Sequence, residues 1–159
     1  MHPIEVKVIE RAPVKVAYLR RVGPYGEAIG AFWREHVGPW MAANDLFGRP
    51  RYGIGHDDPD ITAPAQCRYD ACVEAPDGFV ATGPALTTTI PGGRYATTRF
   101  FGTSAQIEAA WSALLRDWLP ASNLQLDARP CFEHYPSDAR YDEKSGAFEC
   151  DLVIPVAPL

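Results

Sequence analysis

The sequence predicts an α+β fold in which two β-α-β-β units form one antiparallel sheet with two main helices. The first observation is an internal repeat, because residues 16–32 align with residues 95–111 at a constant offset of 79. The matched residues are Ala17 with Ala96, Arg20 with Arg99, Gly23 with Gly102, Phe32 with Trp111 and, with one added residue, the Arg-Pro pairs at 49–50 and 129–130. The second observation is that both halves have the same order of elements: strand, glycine turn, amphipathic helix, Arg-Pro, strand, loop and strand.

Each half contains one amphipathic helix. In residues 107–118, apolar side chains recur at i, i+3, i+4, i+7, i+8 and i+11, which forms a single stripe. A similar stripe runs through residues 29–41 in the first half. Gly38-Pro39 interrupts this second pattern, so we predict a break or kink before a last turn that reaches about Asn44.

The predicted strands are the segments in which apolar and polar residues alternate. They include residues 4–8, 14–16, 50–56, 66–74 and 148–154. Neither half has enough strands to bury its helix alone, so halves of about 4–75 and 85–156 should share one sheet around a pseudo-two-fold axis. We therefore expect a single domain over residues 1–159, with a ligand cleft along that axis.

Composition narrows the class of protein. Hydrophobic residues make up 47% and charged residues 22%, which is ordinary globular usage, and the formal charge is −5. The fifteen Lys and Arg form no basic stripe, so direct nucleic-acid binding is not expected. No window approaches the roughly 18–20 apolar residues of a membrane span, and the amino terminus alternates unlike a signal peptide. These features predict a cytoplasmic protein without membrane contact.

An acidic run, Gly55-His56-Asp57-Asp58-Pro59-Asp60, raises the question of a metal site. A calcium loop that began at Asp58 would need glycine at its sixth position and glutamate at its twelfth, but Ala63 and Tyr69 stand there. Turn chemistry with solvated acids explains the run better. The four cysteines have no zinc spacing and are expected to be reduced thiols. We predict no metal and no cofactor, since no glycine-rich phosphate loop is complete.

Six motifs, in order along residues 5–156, resemble the GyrI-like small-molecule-binding family. They are Val22-Gly23-Pro24-Tyr25, the segment from Gly53 to Cys72, Ile90-Pro91-Gly92-Gly93-Arg94-Tyr95-Ala96, Trp118-Leu119-Pro120, Pro130-Cys131-Phe132-Glu133-His134-Tyr135 and Asp151-Leu152-Val153-Ile154-Pro155-Val156. This family includes the DNA gyrase inhibitory protein and the effector-binding domains of AraC-type and MerR-type regulators. The resemblance implies the duplicated fold and a cleft for apolar, often cationic or polyaromatic molecules. No helix-turn-helix module is found, so a free-standing family member is expected.

Glu133 is the leading candidate for a functional side chain. The resemblance places the family's pocket glutamate here, and Glu133 alternates with Cys131 and Tyr135 on one face of its strand. The matching residue of the first half is Gly53, so one half offers a carboxylate where the other leaves space. A partly buried carboxylate pairs strongly with a cationic ligand. An exposed strand glutamate is the common alternative.

Six further side chains are candidates for contact with a ligand. They are Tyr52, His56, Tyr69, Tyr135, Trp40 and Trp111. The tyrosines lie in predicted strands and suit a wet apolar pocket, although alternation alone does not decide which face of the sheet carries the cleft. The tryptophans lie on apolar helix stripes, where a core role is the alternative. His56 is either a pocket hydrogen-bonding group or a turn histidine, and Asp151 is expected to be solvated or salt-bridged.

Three functions stay open at this stage. The leading one is a binding protein for apolar aromatic or cationic molecules. The resemblance also implies a hydrolase that opens the strained cyclopropane rings of DNA-alkylating natural products, with Glu133 as general base. The third is a protein-interaction role with DNA gyrase or with a separate regulator, which the net charge of −5 permits.

Overall fold

Nine strands and two helices occur in residues 4–159, the part of the chain that the computed structural model describes. The strands are β1 (Lys7–Arg11), β2 (Val14–Val22), β3 (Arg51–Gly55), β4 (Arg68–Glu74), β5 (Leu86–Ile90), β6 (Gly93–Gly102), β7 (Leu124–Leu126), β8 (Phe132–Tyr135) and β9 (Phe148–Pro158). Eight of them form a curled antiparallel sheet in the order β1-β6-β9-β8-β3-β4-β2-β5, and β7 pairs separately with β9. The predicted α+β class is confirmed.

The strand order has the two-fold arrangement that the repeat predicted. Its centre is the β3–β8 pair, in which Gly53 lies opposite Glu133. The edge strands extend the duplication beyond the predicted β-α-β-β unit. β1 precedes β2 in the chain but pairs with β6, whereas β5 precedes β6 but pairs with β2. Each half thus contributes an edge strand to the long strand of the other half.

Each helix contains a π-helical segment. Helix α1 (residues 27–43) consists of α-helical Glu27–Phe32, π-helical Trp33–Val37 and α-helical Gly38–Ala43. Helix α2 (residues 107–121) consists of α-helical Ile107–Ser112, π-helical Ala113–Trp118 and α-helical Leu119–Ala121. None of these helical segments is long and apolar enough to cross a membrane.

Of the predicted break or kink of α1 at Gly38-Pro39, the break is absent. Gly38 keeps helical dihedral angles, with φ −56° and ψ −54°, and the helix continues to Ala43. A helical proline lacks an N–H group and its ring crowds the carbonyl one turn earlier. The wider π turn before it relieves that crowding. Pro120 follows the π segment of α2 by two residues, as Pro39 follows that of α1, so both halves place a proline just after a π turn.

The two faces of the sheet bury different clusters. On one face, α1 packs over a cluster that includes Tyr69 and Val73, and α2 packs over a cluster that includes Leu152. On the other face, Tyr52 and Phe132 belong to a third cluster without helices. Because neighbouring strand residues point to opposite faces, Gly53 and Glu133 lie on the helix face. The four cysteines are free thiols, as expected.

Candidate functional site

A cleft of about 1560 Å³ opens between the two helices, above the central strands β3 and β8. Its lining includes Trp33 from α1, Trp111 from α2, and Gly53 and Glu133 from the central strands. The cleft therefore follows the pseudo-two-fold axis. Its walls come from matching helices, and the two halves differ at its floor.

The Glu133 carboxylate is held by aromatic hydroxyl groups. Tyr135 donates to Oε1 at 2.9 Å, and Tyr69 donates to the same oxygen at 3.4 Å. Trp33 in turn donates from Nε1 to the Tyr69 hydroxyl at 3.0 Å. Within residues 4–159, no arginine, lysine or histidine forms an ion pair with Glu133. The floor of the cleft thus carries a carboxylate that has hydrogen bonds but no counter-ion.

Burial sets the protonation behaviour of this group. Burial raises the pKa of Glu133 above its ordinary value, while hydrogen bonds from Tyr135, Trp111 and Tyr69 oppose the rise. Burial and the nearby Glu133 charge also raise the pKa of Tyr69 and of Tyr135 well above their ordinary value, so both stay hydroxyl donors at neutral pH. A desolvated carboxylate without a counter-ion is unfavourable in the empty cleft and favours an incoming cation.

Aromatic rings and the Arg51 guanidinium form the walls beside Glu133. The Trp33 and Tyr135 rings lie 6.0 Å apart between centroids, and the Tyr25 and Tyr69 rings meet edge to face at 6.4 Å. The guanidinium of Arg51 lies over both Trp33 and Tyr135, at 5.7 and 5.2 Å from the ring centroids. Such faces attract cations and aromatic ligands.

The structure brings most of the predicted ligand-contact residues to the cleft. Glu133, Tyr69, Tyr135 and Trp111 line its floor and walls. His56 borders the cleft, but its imidazole is held by Asp70 on the opposite face of the sheet. Their contact with a ligand stays a prediction.

Two predicted contact residues lie elsewhere. Tyr52 is buried on the opposite face, where its ring stacks on His134 at 5.0 Å, because it neighbours Gly53 on the strand and so points the other way. Trp40 packs against the α1 core cluster, since the helix continues through Gly38-Pro39.

Arg51 and Trp33 are cleft residues that the sequence reasoning missed. Arg51 is two residues from Gly53, so strand alternation would have placed it on the cleft face once Gly53 was assigned there. Trp33 lies on the apolar stripe at residues 29–41, and such a stripe ordinarily predicts a core position. Nothing in the stripe separates a tryptophan that faces the core from one that faces the cleft.

The opposite face carries two matching ion-paired clusters. They are Arg20 with Asp70 and His56, and Arg99 with Asp151 and His134. The arginine Nε donates to the aspartate at 2.8 Å in the first cluster and 2.7 Å in the second. A histidine ring nitrogen lies 2.6 and 3.2 Å from the same two carboxylates. Asp151 is therefore salt-bridged, and the imidazole of His56 is engaged by Asp70.

The acids of the run at 57–60 are used in turn structure and ion pairs. Arg68 donates to Asp57 from Nε at 3.0 Å and from Nη2 at 2.9 Å. Asp58 Oδ1 accepts from the Asp60 backbone N–H at 2.9 Å. Asp60 in turn pairs with Arg116 across the mouth of the cleft at 3.1 Å. Within residues 4–159, no three His, Cys, Asp or Glu side chains are grouped to hold a metal ion.

Known proteins are similar to this chain over nearly its whole length. Residues 4–157 match the family described as the GyrI-like small molecule binding domain. The DNA gyrase inhibitor of Edwardsiella piscicida is 31% identical over 157 residues, which cover 96% of this chain and 98% of that protein. YosT of Bacillus subtilis (strain 168), a prophage-derived protein named as a transcriptional regulator, is 27% identical over 154 residues, 96% of this chain and 99% of YosT.

Solved structures share the fold at low sequence identity. EcmrR in its DNA complex has a TM-score of 0.78 at 16% identity over 99% of this chain, which spans 59% of the EcmrR chain. A hydrolase from Listeria innocua has a TM-score of 0.61 at 12% identity, covering 96% of this chain and 92% of its own. SAV2435 bound to tetraphenylphosphonium has a TM-score of 0.56 at 14% identity, covering 97% and 94%. The family match and the duplicated sheet agree, and the chain belongs to the GyrI-like small molecule binding domain family.

Proposed function

We propose that the chain binds an aromatic, positively charged small molecule in the cleft, with Glu133 as the counter-charge. The observation that carries this proposal is the Glu133 carboxylate, which lies on the cleft floor and is hydrogen-bonded by Tyr135 and Tyr69 rather than by a cation. The related structure of SAV2435 contains tetraphenylphosphonium, a molecule of this chemical class.

Ligand binding would relieve the unfavourable state of the empty site. A cation that enters the cleft supplies the charge that Glu133 lacks, at a carboxylate that is already partly desolvated. The rings of Trp33 and Tyr135 supply apolar area and cation–π attraction to the same ligand. The aromatic walls and the Glu133 charge therefore favour the same kind of ligand.

Calorimetric titration with tetraphenylphosphonium tests the proposal, and tetraphenylborate serves as the probe of matched shape and opposite charge. We expect the cation to bind and the anion to bind far more weakly. Glu133→Gln should weaken cation binding by about 1–3 kcal/mol, the attraction between unit charges roughly 6–12 Å apart at an effective dielectric constant of about 20. Glu108→Gln removes an exposed carboxylate from the same cleft and is the matched control. Equal affinity of wild type and Glu133→Gln for the cation would remove Glu133 from the role.

A hydrolase activity is the second candidate. The raised pKa of Glu133 gives its carboxylate the basicity that activation of a water molecule requires, and Tyr135 and Tyr69 offer neighbouring hydroxyl donors. Incubation with a cyclopropane-containing alkylating natural product, followed by mass spectrometry, tests for addition of water. Glu133→Gln should bind the compound without turnover if this candidate is right. Unchanged compound with the wild-type protein rejects it.

A protein-interaction role is a third candidate, which the name of the Edwardsiella relative motivates. A gyrase supercoiling assay with increasing amounts of the protein tests it directly. Inhibition that Glu133→Gln leaves unchanged would separate such a role from the cleft.

A further inference from the structure

Arg51 is an arginine of the cleft without an anionic partner. Within residues 4–159, no carboxylate forms an ion pair with its guanidinium, and none of its N–H groups makes a hydrogen bond. Three other arginines that line the cleft are each paired with a carboxylate. They are Arg116 with Asp60, Arg129 with Asp127, and Arg140 with Glu149. Of the two remaining cleft arginines, Arg49 donates to the backbone carbonyl of Glu74, and Arg34 is exposed to solvent. Within residues 4–159, Arg51 is therefore the half-buried arginine of the cleft that has neither an ion pair nor a side-chain hydrogen bond.

The Arg51 head group is desolvated yet still open to the cleft. The residue is half-buried, and burial lowers the pKa of its guanidinium below the ordinary value. In residues 4–159, every fully buried side-chain nitrogen or oxygen has a hydrogen-bond partner. The guanidinium nitrogens of Arg51 have no such partner, so they are partly exposed to solvent. A guanidinium has five N–H donors in a planar fork. Those donors are available to a molecule that occupies the cleft.

Tyr135 separates Arg51 from Glu133. In the β3–β8 register, Arg51 lies opposite Tyr135, whereas Glu133 lies opposite Gly53. Tyr135 turns its ring toward the Arg51 guanidinium and donates its hydroxyl to Glu133. Glu133 and Arg51 are thus a carboxylate and a guanidinium on neighbouring strands of the cleft floor that form no ion pair with each other.

We propose that Arg51 determines specificity, so that the cleft prefers amphoteric aromatic ligands with a carboxylate as well as a cationic centre. The proposal rests on the function proposed above, since the cationic centre is assigned to Glu133. The planar fork of Arg51 matches a carboxylate in bidentate geometry, and the rings of Trp33 and Tyr135 beside it hold the aromatic part of the ligand. A ligand of this kind satisfies both uncompensated charges at once.

Rhodamine 6G and rhodamine 19 form a suitable pair of probes. They share one cationic xanthene system and differ only in a pendant group, which is an ethyl ester in rhodamine 6G and a free carboxylate in rhodamine 19. The formal charge of −5 by itself favours the ester, whose net charge is more positive. We expect the opposite order in fluorescence-anisotropy titrations, with the acid bound about tenfold more tightly or better, as a hydrogen bond to a charged group allows.

Variants assign the preference to Arg51. Arg51→Met keeps the apolar stem and should remove the preference for the acid. It also removes a positive charge that repels the cationic ester, so ester binding should be retained or tightened, which shows that the cleft is intact. Arg51→Lys keeps the charge without the fork and should retain a reduced preference, and it replaces the methionine variant if that protein does not fold. Arg34→Met removes an exposed arginine that also lines the cleft and should leave the preference unchanged.

The outcomes separate this inference from the proposed function. Equal binding of the two dyes by the wild type, tighter binding of the ester, or parallel changes for both dyes in Arg51→Met would overturn the role of Arg51 alone. Failure of both dyes and of tetraphenylphosphonium to bind would overturn the proposed function and this inference together.

Discussion

Oε1 of Glu133 lies 2.7 Å from the point at which a Cβ atom would stand on Gly53, directly across the β3–β8 pair. The Tyr69 hydroxyl is closer still to that point. Both polar groups of the cleft floor therefore occupy space that any side chain at residue 53 would fill. Glycine in one half of the repeat makes room for the carboxylate of the other half.

Gly53→Ala should accordingly destabilise the protein, although alanine is ordinarily the better residue within a strand. The added methyl group must displace the Tyr69 ring, which is buried and hydrogen-bonded by Trp33. We expect a loss of about 1–3 kcal/mol in the free energy of unfolding, the usual cost of overpacking, together with weaker binding of tetraphenylphosphonium. Urea denaturation and calorimetry measure the two effects.

Gly55→Ala is the matched control for that substitution. Gly55 lies on the same strand and face, but a Cβ there would be 3.5 Å from the Tyr25 hydroxyl, which is an ordinary contact. Its stability should be unchanged or slightly greater. Similar losses for both variants would show that strand glycine itself, rather than the space near Glu133, is what matters.

Glu133 should make the stability of the empty protein depend on pH. Burial raises the pKa of Glu133 above its ordinary 4.5, so the folded state holds this proton more tightly than the unfolded chain does. The resulting stabilisation is complete below pH 4.5 and is lost as the pH rises through the raised value. Glu133→Gln lacks a group that titrates at this site, so its free energy of unfolding should not show this pH dependence. The variant should be equally or more stable than the wild type at pH 7. Urea denaturation from pH 4 to pH 8 measures the difference, and a less stable Glu133→Gln at pH 7 would contradict the expectation.

Tyr135→Phe should shift the pH dependence of cation binding upward. Cation binding requires ionised Glu133, so the affinity rises with pH through the pKa of that group. Removing the Tyr135 hydroxyl deletes the 2.9 Å hydrogen bond that favours the ionised form and therefore raises this pKa further. Tyr52→Phe, on the opposite face of the sheet, should leave the midpoint unchanged. Titrations with tetraphenylphosphonium across pH measure both variants, and an equal shift in Tyr52→Phe would contradict the assignment of faces.

The duplication and the site asymmetry were readable from the sequence because both depend on comparing the chain with itself. The offset alignment pairs Gly53 with Glu133, and the β3–β8 register places these residues opposite each other. Strand alternation divides residues between the two faces of the sheet, but it does not show which face carries the cleft. Tyr52 was therefore as good a candidate for ligand contact as the tyrosines of the other face. The face is decided by where the helices pack, and that is a long-range property.

The helix details and Arg51 needed tertiary information for a different reason. Gly38-Pro39 reads as a helix break by local propensity, but the helix that packs on the sheet continues through the proline after a π turn. Arg51 is proposed as a specificity residue because no carboxylate pairs with it within residues 4–159. Sequence separation does not predict such an absence, since the carboxylate partners of the other cleft arginines lie from 2 to 56 residues away in the chain.

The ion pair between Asp57 and Arg68 should hold the hairpin connection between β3 and β4 in place at moderate pH and release it in acid. Hydrogen bonds from the Arg68 side chain and backbone N–H lower the pKa of Asp57 to about 2. A carboxylate with a depressed pKa contributes stability above the ordinary value of 3.8, and the contribution is lost as the pH falls through about 2. Hydrogen exchange of residues 56–67 should therefore accelerate between about pH 4 and pH 2, beyond the intrinsic pH dependence of exchange.

Asp57→Asn should show the accelerated exchange already at neutral pH. Asp77→Asn, which removes an exposed carboxylate without a side-chain hydrogen bond in the described chain, corrects for the change in net charge. Protection of residues 56–67 that is the same in Asp57→Asn and wild type would show that turn chemistry alone orders this connection.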